Sequence, residues 1–162
     1  MRKICILTTG GTIDKDYPKR ARQYAFEIAE PAVKRIMDTA SPNFVFEIIS
    51  LLKKDSLDIT EEDRDKIYET CRKADCDKII ITHGTDTMIE TAKRLSDIRD
   101  KVIVLTGSMK PERFSDSDAS FNIGTAIGAM NVLERGVYIA MNGRVYTWNR
   151  CRKLKIGKFA ES

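Results

Sequence analysis

The chain has 162 residues, 42% hydrophobic and 32% charged, with a formal net charge of +4. That length suits one domain with a buried core, and the composition excludes a disordered chain. No apolar run nears the roughly 20 residues of a membrane span, and the apolar part of "MRKICILTTGG" is too short for a signal peptide, so the cytoplasm is the expected compartment.

Taken in order, residues 3–8 read as a first strand. A helix follows from Glu30, with Pro31 at its first position. A second strand starts at Phe44, and "ITEEDRDKIYETCRKAD" is a helix with Thr60 as N-cap and Asp63 three residues on. "KIIIT" at 78–82 is a third strand, "DTMIETAKRLSD" a short helix, and 101–107 a fourth strand. "DASFNIGTAIGAMNVLERG" is a helix ending at Gly136. "VYIAM" and "RVYTW" are strands joined by the hairpin signal Asn142-Gly143. The last, basic residues are expected to be partly loose.

Near-continuous apolar strands separated by helices predict a parallel sheet covered on both faces. The expected fold is a three-layer α/β, Rossmann-like or flavodoxin-like, with a C-terminal hairpin, in one domain over 1–162. In open α/β sheets the ligand lies beyond the carboxyl ends of the strands. "TTGGTID", "THGTDT", "TGSMKP" and "MNG" are all carboxyl-end segments. They are therefore expected on one edge.

The four cysteines, Cys5, Cys71, Cys76 and Cys151, form no Cys-x-x-Cys pair, and His83 is the only histidine. That is too few for the usual zinc sets. Reduced thiols, no metal and no cofactor are expected. Charge is uneven: from Arg135 to Lys158 there are seven Arg or Lys and no Asp or Glu. A solvated basic face accounts for such a run, and the functional readings are a nucleic-acid patch or a field around an anionic substrate. Nucleic acid and membrane are set aside as partners.

In Thr8-Thr9-Gly10-Gly11-Thr12 two glycines let the backbone approach a ligand. The pattern is neither Gly-x-Gly-x-x-Gly nor a P-loop, so a nucleotide reading loses its support. Thr12 is a candidate nucleophile if a neighbour takes its proton; a backbone hydrogen bond is the bland alternative. In "HGTDT", Asp86 is either an N-cap or the counter-ion of a substrate ammonium, and the helix N-terminus could hold a substrate carboxylate. Thr85 is a second hydroxyl, and His83 reads as a tautomer-locked structural residue. A desolvated lysine in the tail could serve as base. The residues alone do not choose Lys153 over its neighbours.

Together, "LTTGGTID" and "ITHGTDTM" resemble the two signatures of bacterial-type L-asparaginases. "TGSMKP" and "SDSDASFNI" resemble that family's next two segments. The resemblance covers the family's amino-terminal catalytic domain, and the carboxyl-terminal domain is expected to be missing. It implies two-step hydrolysis of the asparagine side-chain amide through a threonine ester. On this chain it implies Thr12 as nucleophile, with Thr85 the other candidate, and a relay of Thr85, Lys153 and Asp86. Counting through "MNGRVYTWNRCRKL" selects Lys153. The loop tyrosine aligns with Tyr24, and Tyr17 is its rival. Gly11, Ser56, Leu57, Gly84, Thr85, Asp86 and Ser108 fall on substrate-binding positions.

Two departures follow from the resemblance. Leu57 stands where the family has glutamine, and the missing domain would supply an acidic residue to a neighbouring protomer. Each lost charge-assisted hydrogen bond costs about 1.5–3 kcal/mol. Weak substrate binding is expected, with Asp86 the main ammonium partner. A homodimer or homotetramer is implied. Hydrolysis of glutamine or of a tRNA-linked amide, and a non-catalytic amino-acid sensor, are the alternative functions.

Overall fold

The computed structural model describes residues 3–18 and 26–162. In chain order it contains β1 (Ile4–Gly10), β2 (Lys15–Asp16), β3 (Glu27–Ile28), α1 (Ala32–Ala40), β4 (Phe46–Lys54) and α2 (Glu61–Lys73). Then come β5 (Lys78–Thr82), α3 (Met88–Arg94), β6 (Val102–Thr106), α4 (Ala119–Met130), β7 (Gly136–Met141), β8 (Arg144–Thr147), β9 (Cys151–Lys153) and β10 (Phe159–Glu161). Single 3-10 turns occupy Thr12–Asp14, Ser56–Asp58 and Trp148–Arg150.

The main sheet runs β4-β1-β5-β6-β7-β8. The first five strands are parallel, and β8 returns antiparallel to β7. Counted among parallel strands this is the order 2-1-3-4-5, as in flavodoxin-like folds. The winding direction reverses between β1 and β5. The loops that follow those two strands, holding Thr12 and Thr85, therefore flank the position where such sheets bind ligands.

Strand periodicity divides the apolar side chains between two cores. Ile79 and Ile81 of β5 face α2 and α3, with Leu7, Ile67, Met88 and Leu105. Ile80 faces α1 and α4, with Ile6, Val33, Val104 and Ile123. Ile79, Ile80 and Ile81 are fully buried, and each such side chain contributes about 1.5–3 kcal/mol. The expected three layers are present. The Thr60 capping box is also present, with Asp63 N donating to Thr60 Oγ1 (3.2 Å) and Thr60 N to Asp63 Oδ2 (2.9 Å). At the β7–β8 hairpin both Asn142 (φ 55) and Gly143 (φ 76) take the left-handed conformation of its turn.

Four expectations need correction. Helix α4 stops at Met130, because residues 131–133 turn back onto Gly128 and Ala129, and Gly136 N is taken by Lys101 O at the start of β7. Pro31 precedes α1 instead of opening it, and the helix is capped from outside: Ala32 N donates to Asp14 Oδ1 at 2.8 Å. The basic tail is not loose. Strands β9 and β10 pair antiparallel, Phe159 is buried, and Phe159 N donates to Asn142 Oδ1 (2.8 Å) while Tyr146 OH donates to Phe159 O (3.1 Å). Finally, Cys5 and Cys76 form a disulfide with Cα atoms 6.3 Å apart, whereas Cys71 and Cys151 are free and buried. The pairing follows from β1 lying beside β5, which spacing along the chain does not reveal.

Candidate active site

Four loops meet beyond the carboxyl ends of the strands, and glycines let their backbones touch. Gly11 has φ +82, and a Cβ there would lie 2.5 Å from Gly84 N. At Gly84 a Cβ would lie 2.6 Å from Ser56 Cβ. Gly107 packs in the same way on the His83 carbonyl. Contacts this close exclude any side chain. Thr12 and Thr85 thus hang from adjoining residues of two interlocked loops, and the predicted convergence on one edge is what the fold delivers.

Lys153 approaches from outside the main sheet. Its Nζ donates to Thr85 Oγ1 at 2.9 Å and to Asp86 Oδ1 at 2.5 Å. The Lys153 side chain is 24% exposed and that of Asp86 49% exposed. The lysine is placed by the β9–β10 ladder, where it stands opposite Phe159. Asp86 does not cap α3; Thr87 occupies that position. Asp86 is fixed instead through its backbone N, which donates to Ser56 Oγ at 3.2 Å. Thr87 Oγ1 donates to Ser56 O at 2.7 Å, so buried Ser56 ties down the Gly84–Thr87 turn from below.

His83 is fully buried beneath this turn. Its Nδ1 lies 2.7 Å from Gly84 O, and its Nε2 lies 2.8 Å from Thr91 Oγ1. Arg64 Nε donates to Thr91 Oγ1 at 3.2 Å. Gly84 O can only accept, so the ring proton belongs on Nδ1 and Thr91 turns its hydroxyl proton to Nε2. Burial first, and then the nearby Arg64 charge, push the imidazole down to about 4, against the opposing Gly84 bond. A neutral, doubly anchored ring is a structural histidine.

Asp14, two residues after Thr12, escaped the sequence reading. It is buried, caps α1 through Ala32 N, and accepts Ala29 N on its backbone carbonyl at 2.9 Å. Burial raises its carboxyl to about 7, opposed by the Ala32 bond and the Arg35 and Lys53 charges, with Glu112 adding to the rise. Asp118 was missed too. Its carboxylate accepts Met109 N (3.0 Å) and Lys110 N (3.1 Å), holding the loop that contains Ser108. Both residues look like ordinary turn carboxylates in sequence, and in "SDSDAS" Asp118 stands among Ser115, Asp116, Ser117 and Ser120.

Other predicted residues are placed differently. The Tyr17 side chain is 68% exposed, and its ring packs on Phe26 (centroids 5.2 Å). Tyr24 lies outside the described residues. Leu57 is 72% exposed. Ser108 is buried, with its hydroxyl donated to Lys110 O. Two cavities of about 510 and 490 Å³ lie elsewhere, the first between α1 and α4 and lined by Ile36, Met37, Phe44 and Ile127. The second is lined by Glu30, Lys34, Asp38 and Ser50 beside Phe46 and Ile48, and neither is lined by Thr12, Thr85, Asp86 or Lys153, so the site is located by its converging polar groups.

Fold and site together define an α/β domain that gathers polar side chains beyond the strand ends at a reversal of winding. The chain belongs to the asparaginase family, a family of amidohydrolases: the sequence model of the domain "Asparaginase, N-terminal" matches residues 3–161. It is 26% identical over 168 residues to a glutaminase-asparaginase of Pseudomonas fluorescens biotype A, covering 95% of this chain and 46% of that protein. It is 32% identical over 155 residues to a component of the glutamyl-tRNA(Gln) amidotransferase of Methanococcus vannielii, covering 90% and 35%. The solved thermostable L-asparaginase of Thermococcus kodakarensis superposes with a TM-score of 0.84 at 31% identity, covering 98% of this chain and 51% of that one. The chain spans about half or less of the length of these relatives.

Proposed function

We propose that this chain hydrolyses the side-chain amide of L-asparagine to aspartate and ammonia through a threonine ester. The observation that carries the reading is the contact of Lys153 Nζ with both Thr85 Oγ1 and Asp86 Oδ1. An amine between a hydroxyl and a carboxylate can take a proton from the first while the second steadies its charge. In the first step Thr12 Oγ1 bonds to the amide carbon, its proton passes to a base, and the leaving nitrogen departs protonated as ammonia. In the second, Lys153 in its amine form takes a proton relayed through Thr85 from water. The resulting hydroxide cleaves the ester and frees Thr12. Thr85 as the first nucleophile is the competing assignment.

One Asp86 oxygen is engaged by Lys153, which leaves the other for the substrate ammonium. Because the Leu57 side chain offers no polar contact, Asp86 is the principal anchor, and a Michaelis constant well above the micromolar range is expected. In this reading residues 1–162 form one domain, cytoplasmic and self-associated as a homodimer or homotetramer.

Two relatives favour a second reading. One is named a glutaminase-asparaginase and the other belongs to a glutamyl-tRNA(Gln) amidotransferase, at identities of 26% and 32%. Glutamine or a tRNA-linked amide is therefore the alternative substrate. The deciding experiment is ammonia release from asparagine and from glutamine by wild type, Thr12→Ala, Thr85→Val and Lys153→Met, each first shown to be folded. Absence of ammonia from every substrate would leave the amino-acid sensor as the reading.

A further inference from the structure

The hydroxyls of three threonines at the strand ends are tethered. Thr9 Oγ1 donates to Thr82 O (2.9 Å), Thr87 Oγ1 donates to Ser56 O (2.7 Å), and Thr85 Oγ1 accepts from Lys153 Nζ (2.9 Å). Thr12 differs. It is half-buried, and its Oγ1 has no hydrogen-bond partner among the described residues. Where that hydroxyl stands is therefore decided by the backbone turn that carries it.

Helix α1 holds this turn through two links. In the first, the buried Asp14 carboxylate reaches across 18 residues to accept Ala32 N (2.8 Å), and Asp14 N donates back to Gly11 O (3.2 Å), closing the turn around Thr12. In the second, Glu112 N donates to Ile13 O (3.2 Å) while the Glu112 carboxylate accepts from Arg35 Nη2 of α1 (2.6 Å). Gly11 is wedged against Gly84 on the other side, so Thr12 is gripped between the Gly84 turn and the start of α1. An ordinary helix cap comes from the residue just before the helix, and an ordinary buried acid has a cation on it. Asp14 fits neither pattern. Among the described residues it makes no ion pair, because Arg35 is committed to Glu112 (2.6 Å) and Lys53 to Glu30 (2.8 Å). We infer that Asp14 and Glu112 are positioning residues, which fix the Thr12 turn to α1 and so hold the untethered hydroxyl in place for attack. The inference rests on the reading of Thr12 as the attacking group.

The test combines steady-state ammonia release from asparagine with threonine-methyl NMR of the whole chain. Asp14→Ala should lower kcat by about tenfold or more, since small displacements of a reacting group are costly. The Michaelis constant should hold, because Asp86 stays tied to Ser56. Asp14→Asn, which keeps an acceptor for Ala32 N, should restore kcat. Thr60→Ala, which uncaps α2 far from the turn, is the stability control and should leave kcat at the wild-type value. Should Asp14→Ala not fold, Arg35→Gln loosens the second link at a partly exposed pair and should lower kcat with the Michaelis constant unchanged. In the methyl spectrum the Thr12 signal should move in Asp14→Ala while that of Thr85 stays. A folded Asp14→Ala with wild-type kcat, a loss that Asp14→Asn does not repair, an equal loss in Thr60→Ala, or an unmoved Thr12 methyl would each overturn the inference. A wild type that releases no ammonia would instead overturn the reading of the site, and the methyl spectra would still decide whether Asp14 anchors the turn.

Discussion

Lys153 stands directly across the β9–β10 ladder from Phe159, and the ring of Phe159 is buried in the core shared by α2 and α3. The Lys153 Nζ that meets Thr85 and Asp86 is thus aimed by an apolar side chain across the ladder. Sequence alone presents the same segment as a charged tail.

Truncating that anchor should therefore damage chemistry as well as stability. Phe159→Ala is expected to cost about 3–5 kcal/mol of unfolding free energy. In the fraction that remains folded, kcat should fall while the Michaelis constant changes little, because Asp86 stays held by Ser56. Urea unfolding and steady-state ammonia release measure the two effects. An unchanged kcat in folded variant would show that Lys153 does not depend on the ladder.

Gly84→Ala probes the contact between loops. The added methyl would lie 2.6 Å from Ser56 Cβ and 2.8 Å from Ser56 Oγ, so the turn carrying Thr85 must shift. Misplacing a catalytic group by about 1 Å costs on the order of 100-fold in rate. Single-turnover assays of folded Gly84→Ala should show a loss of that size, and near-normal turnover would refute the interlocked arrangement.

Asp14 makes a pH-dependent prediction. Its folded value of about 7 lies above the ordinary 3.8, so the folded state holds a proton that the unfolded chain releases. The resulting stabilisation is complete below pH 3.8 and is lost as pH rises through 7. Asp14→Asn keeps an acceptor for Ala32 N and cannot ionise. It should exceed wild type in stability by up to about 4 kcal/mol above pH 7, with the gap narrowing toward the acid end. Denaturant titrations at both ends check this; a gap that ignores pH would refute it.

His83 acts in the opposite sense over nearly the same window. Its folded value of about 4 lies below the ordinary 6.5. The stability it gives is present above pH 6.5 and is lost as pH falls through 4. At full loss this amounts to about 3 kcal/mol. In His83→Asn, whose amide can still donate to Gly84 O, the acid-side loss should disappear. Because Asp14 gains what His83 loses, wild type alone should show a shallow profile, and the two variants should separate the slopes.

Much of the fold and site is legible in the sequence, for identifiable reasons. The "KIIIT" run became β5 with its bounds intact because a buried parallel strand must be apolar on both faces. The turns after β1 and β5 stand out because reversing a chain does not require Thr-Gly-Gly-Thr or His-Gly-Thr-Asp-Thr. The β9–β10 hairpin was not visible, since three-residue strands have too few positions to show a period of two. Asp14 was hidden by its neighbours, as a carboxylate after Ile13 looks solvent-facing until α1 is seen to end on it. Pro31 held a clue: a proline at the capping position before a helix offers no side-chain acceptor, so the helix must borrow one.

The two-strand ladder that carries Lys153 is a small element at the edge of the fold, held by the buried Phe159 and by bonds such as Phe159 N to Asn142 Oδ1 and Tyr146 OH to Phe159 O. Small peripheral elements open at lower free energy than the sheet behind them. Warming should therefore silence the molecule before it melts. A sample that has lost turnover would still give an intact far-ultraviolet spectrum and recover at once on cooling.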